Sequence, residues 1–271
     1  YVKDPIVGLH KWVMSFDLNS LYPHLIMQYN ISPETLVADE KVKNMSVEKL
    51  LNKEVDTSIL KDATMTPNGA LFKTTQKGFL PELMQKMYDD RVKFKQLMIE
   101  AQKDYEKTKD PKLQKTIAKF NNIQMAKKIS LNSAYGAIGN VWFRYYNLLV
   151  AEAITTSGQL AIRYIEHTLN QYLNKILNTR GEDYIIASDT DSVYITFDNL
   201  VSKVFVSDTD DNKIVEFLDR VAKEKLEPFI DKSYQDLAEY VNAYEQKMQM
   251  KREVIADKAI WVAKKRYILN A

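Results

Sequence analysis

The order of apolar and polar stretches predicts strands towards both ends of the chain, with helices between them. Residues 12–18 form an apolar run with the length and composition of a buried strand. Residues 19–29 then show a helical pattern that Asn19 or Ser20 can cap. A polar stretch over residues 46–77 contains a Pro-Asn-Gly turn signal. We therefore expect a strand and a short helix first, followed by a polar stretch that contains a turn.

Two long helical patterns occupy the middle of the chain. They cover residues 81–107 and 112–135, and Asp110-Pro111 separates them. Because the residue before a proline disfavours the helical conformation, we expect the two helices to form an antiparallel hairpin. A third helical pattern covers residues 150–177.

The last part of the chain alternates between strand and helix signals. Two apolar strands flank a short polar turn, and a helix and two further strand-like runs follow. These elements cover residues 183–188 and 192–197, 213–232, 248–255, and 259–269. The simplest interpretation is a single α+β domain whose sheet is interrupted by a helical insertion.

The composition indicates a globular chain without cysteine chemistry. Of 271 residues, 45% are hydrophobic and 27% charged, and the absence of cysteine excludes disulfides and thiolate metal sites. Lys and Arg number 38 against 36 Asp and Glu, so any nucleic acid must meet clustered positive charge. No apolar run is long enough to span a bilayer. A start at Tyr1, with neither a signal peptide nor an initiator methionine, leads us to expect an internal piece or a processed product.

Three aspartates stand where predicted strands end. Asp17 closes the first apolar run, and Asp189 and Asp191 lie in the turn between two others. Carboxylates brought together at one sheet edge repel each other and need a divalent cation. Two such ions about 3.5–4 Å apart are the usual apparatus of phosphoryl transfer. The pattern therefore predicts a metal-dependent site for that chemistry.

Two other interpretations of the Asp-Thr-Asp tripeptide stay open on the residues alone. Aspartate favours turns, so the tripeptide could be no more than a hairpin turn. A strand followed by Asp-x-Asp-x-Val also resembles the nucleophile motif of haloacid-dehalogenase-type phosphatases. In that class the motif opens an α/β domain and leads into a helix, whereas here it lies late in the chain and a second strand follows at once.

Four segments resemble, in order, the motifs of family B (Pol alpha-like) DNA polymerases. Residues 17–23 (DLNSLYP) match D-x-x-S-L-Y-P, and residues 128–136 (KISLNSAYG) match K-x-x-x-N-S-x-Y-G. Residues 189–192 (DTDS) match D-T-D-S, and residues 264–267 (KKRY) match the primer-strand element. Each motif is moderately specific, but four in this order make coincidence negligible. The resemblance covers essentially the whole chain, and the segment 139–146 (GNVWFRYY) is most similar to the replicative polymerases of T-even-like bacteriophages.

The resemblance implies roles for the acidic residues. Asp17 and Asp191 match the carboxylates that bind both catalytic metals, which are two Mg²⁺ ions that Mn²⁺ can replace. Asp189 matches a supporting carboxylate, and the backbone carbonyl of Leu18 would complete a metal's coordination. Glu253 matches an accessory acidic residue near the metals.

The resemblance also implies the nucleotide and primer contacts. Tyr22 matches the steric gate, whose ring lies under the sugar and excludes a 2′-hydroxyl. The residues that match dNTP-binding positions are Ser20, Leu21, Tyr22, Arg91, Lys95, Lys128, Asn132 and Tyr135. Those that match positions for the primer and DNA are Gly136, Lys264, Lys265, Arg266 and Tyr267.

Helical spacing agrees with the dNTP positions. Arg91 and Lys95 are four residues apart and share a helix face, as do Lys128, Asn132 and Tyr135. In an antiparallel hairpin these two stripes can face one cleft, where converging cations bind and orient a triphosphate. A solvated charged face is the structural alternative.

The basic element near the C-terminus is expected to lie within a strand. Residues 259–269 alternate, so Lys264 and Arg266 are predicted to point one way and Lys265 and Tyr267 the other. A basic cluster beside an aromatic ring suits a sugar–phosphate backbone. Lysines that protect an edge strand are the alternative.

Three further features come from the residues between the motifs. His24 stands where the family usually has Ser, and Ala187-Ser188 stand where Tyr-Gly is common. Neither replaced residue would bind a metal, so these departures concern the packing of the sugar and primer. The aromatic residues over 142–146 are interpreted as core.

The implied fold is an α+β polymerase palm, an antiparallel sheet with helices, interrupted by an antiparallel helical fingers insertion. The palm is expected over residues 1–77 and 141–271 and the fingers over 78–140, with the exonuclease and thumb regions of the family absent. The implied reaction is template-directed transfer of a nucleotide from a dNTP to a primer 3′-hydroxyl, with release of pyrophosphate. The chain would be the catalytic core of a viral replicative polymerase in the cytoplasm of an infected bacterial host.

The partners that follow are primer–template DNA, dNTPs, and the missing exonuclease and thumb regions in cis or as other chains. A sliding clamp would bind through a missing C-terminal region, no membrane is involved, and the isolated chain would be weakly active. A non-catalytic nucleic-acid-binding remnant is one rival, against which Asp17 and Asp191 are both present. An RNA-synthesising palm enzyme is another, and the bulk of Tyr22 argues against it.

Overall fold

A computed structural model describes residues 1–38, 41–207 and 209–271. The strands are β1 (Gly8–Leu18), β2 (Ala63–Met65), β3 (Leu71–Lys73), β4 (Ile185–Asp189), β5 (Ser192–Thr196), β6 (Met250–Ala263) and β7 (Arg266–Asn270). The helices are α1 (Leu21–Gln28), α2 (Val47–Leu51), α3 (Phe79–Thr108), α4 (Pro111–Ile138), α5 (Leu148–Leu177), α6 (Asp198–Val204), α7 (Asp211–Val221) and α8 (Glu227–Tyr240). A π-helical turn at Ala222–Leu226 joins α7 to α8. The α+β class predicted from the sequence is confirmed.

A five-stranded antiparallel sheet, in the order β4-β5-β1-β6-β7, forms the centre of the molecule. The middle strand β1 is buried on both faces. Met14, Phe16 and Leu18 join the main core, whereas Val13 belongs to a smaller cluster around Trp261. This explains why β1 reads as a continuous apolar run, and it places the end of β1 inside the sheet.

Helix α5 is the central helix of the main core. Residues such as Ile154, Leu160 and Ile165 are fully buried, and the helix contacts α1, α2, α4, α8 and strands β4 and β5. Asn147 caps its first turn by accepting a hydrogen bond from the Val150 amide at 3.2 Å. Because α5 lies against both the β4–β5 pair and α1, it fixes the two chain segments that carry the predicted aspartates relative to each other.

Helices α3 and α4 form the antiparallel hairpin that the sequence predicts. Asp110 caps α4 by accepting from the Lys112 amide at 2.9 Å, and Pro111 occupies the first turn, where its missing amide hydrogen costs nothing. The Lys127–Asp90 ion pair, at 3.0 Å, joins the two helices. No helix in the described residues is long and apolar enough to cross a membrane.

The structure corrects the sequence-based prediction at the C-terminal strands. Strand β6 runs without interruption over Met250–Ala263, where two separate runs were predicted. It ends in a two-residue turn at Lys264 and Lys265, and the latter has a left-handed φ of 60°. The two lysines therefore do not alternate along a strand, and the predicted directions for them are wrong. Turn geometry outweighed the alternating pattern here because strands β6 and β7 pair with each other.

Two further interpretations need correction. Trp142 is 92% exposed, so its assignment to the core is wrong, although Phe143 beside it does pack against the main core. The helix predicted over 213–232 extends over α7, the π-helical turn and α8, and α6 was not predicted.

Candidate active site

The predicted aspartates come together where β1 ends beside the β4–β5 turn. Asp17 pairs across the sheet with Ser192, the residue directly after Asp191. The Leu18 amide donates a hydrogen bond to the Asp191 carbonyl at 2.8 Å. Two segments that are far apart in sequence are therefore fixed to each other by backbone hydrogen bonds on both sides of the aspartate pair.

A β-bulge in β6 brings a third carboxylate to this edge. Pairing between β1 and β6 moves from Ser15 with Val254 to Phe16 with Arg252, so Glu253 is the additional residue of the bulge. The Ser15 hydroxyl accepts from the Val254 amide at 3.1 Å at the same point. The negative charge of Glu253 therefore acts on both Asp17 and Asp191.

The electrostatics of the site are those of crowded, partly desolvated carboxylates. Burial, followed by the charges of Asp191 and Glu253, raises the pKa of Asp17 to about 7. Burial also raises the pKa of Asp191, with Asp189 and Glu253 adding to the rise. A cation placed between these groups would relieve both the repulsion and the lost hydration.

The donor set fits a hard divalent cation but does not complete its coordination. Aspartate oxygens and the backbone carbonyl of Leu18 are the oxygen ligands that Mg²⁺ prefers. Among the described residues, no group of three or more His, Asp or Glu side chains is arranged to hold a metal ion.

The basic element adjoins the aspartates directly. Lys265 forms an ion pair with Asp189 at 3.3 Å, and Lys264 forms one with Asp4 at 2.9 Å. The hydroxyls of Tyr267 and Tyr194 are 2.8 Å apart and hydrogen-bonded. Lys265 therefore lies close enough to the turn for its charge to oppose the rise in the pKa of Asp191.

Residues at the start of the chain hold the turn from its other side. The Thr190 amide donates to the Tyr1 carbonyl at 3.0 Å, and the Lys3 amide donates to the Ser188 carbonyl at 3.1 Å. Val2 forms an isolated antiparallel bridge with Asp189. The sequence analysis did not identify these contacts, because no local pattern links residues so far apart.

The segment between β1 and α1 presents Tyr22 towards the same edge. Ser20 has a left-handed φ of 46°, which turns the chain sharply into α1. The rings of Tyr22 and Tyr135 are 4.9 Å apart between centroids, at 42°. Burial, then Tyr135, then the charge of Asp191 raise the pKa of Tyr22. The ring therefore lies between the aspartates and helix α4.

The basic side chains of the hairpin meet the site unequally. The Arg91 guanidinium donates to the Ser20 hydroxyl at 3.4 Å, and its buried Nε has no partner within the described residues. Lys95, Lys128 and Asn132 are exposed, and no ion pair or side-chain hydrogen bond is recorded for them in the described ranges. The structure thus brings Arg91 to the site and leaves the other three free in solvent.

Tyr88 contacts this region and was not among the residues predicted from the sequence. The Asn19 side chain donates to the hydroxyl of Tyr88, which also packs edge-on against His24 with ring centroids 4.5 Å apart. His24 Nδ1 donates to the Ser20 carbonyl at 2.9 Å, and burial lowers the pKa of His24. Tyr88 precedes Arg91 by three residues on the same helix face, and that spacing could have identified it.

The chain belongs to DNA polymerase family B, whose family model matches residues 1–270. It is 35% identical, over an alignment 322 residues long, to the DNA-directed DNA polymerase of Escherichia phage RB69. That alignment covers 100% of this chain and 35% of the phage protein. It is 34% identical over 323 residues to the DNA-directed DNA polymerase of Enterobacteria phage T4, with the same coverage. It is 31% identical over 192 residues to the DNA polymerase delta catalytic subunit of Arabidopsis thaliana, covering 69% of this chain and 15% of that subunit.

The family assignment confirms the resemblance inferred from the four motifs. It also removes the phosphatase interpretation, since the match extends over nearly the whole chain. The chain spans about a third of the length of the phage polymerases that it matches.

Proposed function

We propose that this chain is the palm and fingers of a DNA polymerase and that it extends a primer by template-directed nucleotidyl transfer. The palm comprises residues 1–77 and 141–271, with the five-stranded sheet at its centre, and the fingers comprise residues 78–140, which contain the α3–α4 hairpin. The observation that carries the proposal is the fixed pairing of Asp17 beside Asp191 at one sheet edge. Family membership adds the reaction, because the phage relatives are named DNA-directed DNA polymerases.

Asp17, Asp191 and the carbonyl of Leu18 would hold Mg²⁺, or Mn²⁺ in its place. Two such ions, when bound, supply activation of the attacking 3′-hydroxyl and stabilisation of the leaving pyrophosphate. The protein's contribution is to hold the two carboxylates rigidly and partly out of water, which the high pKa of Asp17 reflects. Asp189 and Glu253 would act as supporting negative charges, and the positive charge of Lys265 would partly offset that of Asp189.

The incoming dNTP would lie between the aspartates and the hairpin. Arg91 supports this placement. Its buried Nε has no hydrogen-bond acceptor within the described residues, and a phosphate oxygen could accept that hydrogen bond. Further dNTP contacts are proposed for Ser20, Leu21, Lys95, Lys128 and Asn132. The last three are exposed, so their polar ends are open to a ligand from solvent.

Sugar and base selection are proposed for Tyr22 and Tyr135, whose rings are in contact. Tyr22 would lie under the sugar and exclude a 2′-hydroxyl, and Tyr135 would contact the nascent base pair beside Gly136. The close approach of the two rings supports a shared pocket. The primer strand would contact Lys264, Lys265, Arg266 and Tyr267 at the β6–β7 turn, where all four side chains are exposed.

In its biological setting the chain would act as the core of a viral replicative polymerase in the cytoplasm of an infected bacterium. Similarity to two phage polymerases supports that role. Its partners would be primer–template DNA, dNTPs, exonuclease and thumb regions in cis or as separate chains, and a sliding clamp. Without those regions the 271-residue chain would extend primers weakly.

Single-turnover extension of a 5′-labelled primer tests the proposal. Asp191→Asn removes a charge that would bind both metals and should lower the rate about a thousandfold, or about 4 kcal/mol of barrier. Primer–template affinity should stay unchanged, since the fold does not depend on that charge. Asp198→Asn, at an exposed aspartate after β5, is the matched control and should extend normally. Near-normal extension by Asp191→Asn would rule out the metal assignment.

A further inference from the structure

Glu166 is a partly buried carboxylate that the proposed mechanism does not use. It lies on α5 between Ile162 and Ile165 on one side and Leu169 on the other, all three of which are buried. A carboxylate in such a position is costly unless it is hydrogen-bonded. Burial raises the pKa of Glu166, against the opposing effects of Ser188, Lys3 and Arg163.

The hydrogen bonds of Glu166 lead directly to the turn that carries two of the aspartates. The Ser188 hydroxyl donates to Glu166 Oε1, and Ser188 is 1% exposed and immediately precedes Asp189. The Tyr1 hydroxyl donates to Glu166 Oε2 at 3.5 Å. The carbonyl of Tyr1 in turn accepts from the Thr190 amide at 3.0 Å.

These contacts form a closed loop around the turn. One carboxylate oxygen holds the residue before Asp189, and the other holds Tyr1, which binds the backbone between Asp189 and Asp191. Helix α5 is anchored in the main core, so the loop ties the exposed turn to the most rigid part of the molecule. The other contacts that hold the turn are backbone pairing with β1, Val2 and Lys3 and the exposed Lys265–Asp189 ion pair.

We propose that Glu166 is a positioning residue that fixes the Asp189–Asp191 turn, through Ser188 and Tyr1, at the position where Asp191 meets Asp17. It touches neither substrate nor metal and acts only through these two neighbours. The pairing depends on Ser188. A glycine at this position would offer Glu166 no hydroxyl. Glu166 and Ser188 therefore act together, and once Glu166 is removed, the further loss of the Ser188 hydroxyl should add little.

This inference rests on the proposed function, so its test uses two measurements made without DNA or dNTP. The first is amide hydrogen exchange of a peptide covering residues 186–193, which reports on the turn itself. The second is Mn²⁺ binding to the 271-residue chain, followed by electron paramagnetic resonance. The variants are Glu166→Ala, Glu166→Gln, Ser188→Gly and the double variant Glu166→Ala/Ser188→Gly. Glu152→Ala is the matched control, because Glu152 lies on the same helix and its side-chain partner, among residues 1–38, 41–207 and 209–271, is Lys41.

Glu166→Ala and Ser188→Gly should each speed exchange across 186–193 and weaken Mn²⁺ binding about tenfold, the usual effect of losing an outer-shell partner. The double variant should match Glu166→Ala within about twofold. Glu166→Gln keeps an acceptor oxygen for Ser188 and should remain near wild type, as should Glu152→Ala. If Glu166→Ala does not fold, Ser188→Gly decides the question, because it removes the hydrogen bond and leaves helix α5 unchanged.

Unchanged exchange and Mn²⁺ affinity in Ser188→Gly would overturn the inference, as would single effects that multiply in the double variant. Failure of the proposed function looks different. In that case Mn²⁺ binding would be the same in the wild-type chain and in Asp191→Asn. The exchange measurement would still report whether Glu166 holds the turn.

Discussion

Asp17→Asn should stabilise the fold in metal-free buffer above neutral pH, although it abolishes the proposed catalysis. The carboxyl group has a pKa of about 7 in the folded chain against an ordinary value of 3.8. Because the folded state holds the proton more tightly than the unfolded state, stability is lost as the pH rises from about 4 to about 7 and stays lower above that. An asparagine carries no charge at any of these pH values, so it escapes the loss.

The size of the effect follows from the pKa. A rise from 3.8 to about 7 corresponds at full strength to about 4 kcal/mol, since one pKa unit is about 1.4 kcal/mol. Asp17 is only half buried, and solvent screening reduces the effect. We expect Asp17→Asn to raise the free energy of unfolding by about 1–2 kcal/mol at pH 8, with the difference disappearing below about pH 4.

Urea unfolding at pH 8, 6 and 4 in the presence of a chelator measures this difference. Asp62→Asn serves as the control, since Asp62 is exposed and lies outside the helices, and the same chemical change there should leave the stability unchanged at each pH. Millimolar Mg²⁺ should stabilise the wild-type chain more than Asp17→Asn, because binding to the folded state shifts the equilibrium. If Asp17→Asn is no more stable than wild type at pH 8, the carboxylates are not crowded as described, and the electrostatic argument for a cation fails.

Two other substitutions test the proposed nucleotide pocket. Tyr22→Ala should lower the preference for dNTP over rNTP, measured as a ratio of kcat/KM, more than it lowers dNTP turnover. Tyr22→Phe keeps the ring and should retain the preference. An unchanged ratio in Tyr22→Ala would exclude the role of Tyr22 as a steric gate. Lys128→Ala should raise the KM for dNTP about tenfold and leave primer–template affinity unchanged, since it removes one phosphate contact. Lys119→Ala, which lies nine residues earlier on the same helix and therefore on its opposite face, should change neither the KM nor the affinity. A loss of DNA affinity in Lys128→Ala would show that the face with Lys128 meets the duplex instead.

The elements themselves were largely predictable because their patterns are local. The hairpin of α3 and α4 follows from helical spacing and from Asp110-Pro111, and the strand around Asp17 follows from an unbroken apolar run. Prediction failed where pairing partners decided the outcome. The alternation over 259–269 continues through a turn at Lys264 and Lys265, and only the pairing of β6 with β7 shows that the chain reverses there.

Some features of the candidate site were predictable from the sequence, and others appear only in the folded chain. Residue types and their order along the chain were enough to select Asp17, Asp191 and the KKRY element, because those choices depend on motif spacing. The sequence could not show that Glu253 reaches the aspartates through a β-bulge, or that Lys265 pairs with Asp189. Nor could it show that Trp142 faces solvent, since a tryptophan in an apolar stretch is usually buried.

The sequence by itself therefore determined the fold class and the family of this protein, and it selected the candidate residues of the site. Each of these is encoded in short segments whose pattern does not depend on distant partners. Only the tertiary structure decided which charges meet. Asp17 on β1, Asp191 in the β4–β5 turn and Glu253 on β6 are far apart in sequence. The effect of Asp191 and Glu253 on the pKa of Asp17 therefore exists only once the sheet has formed. Glu166 reached the Asp189–Asp191 turn in the same way, through the packing of α5 against β4.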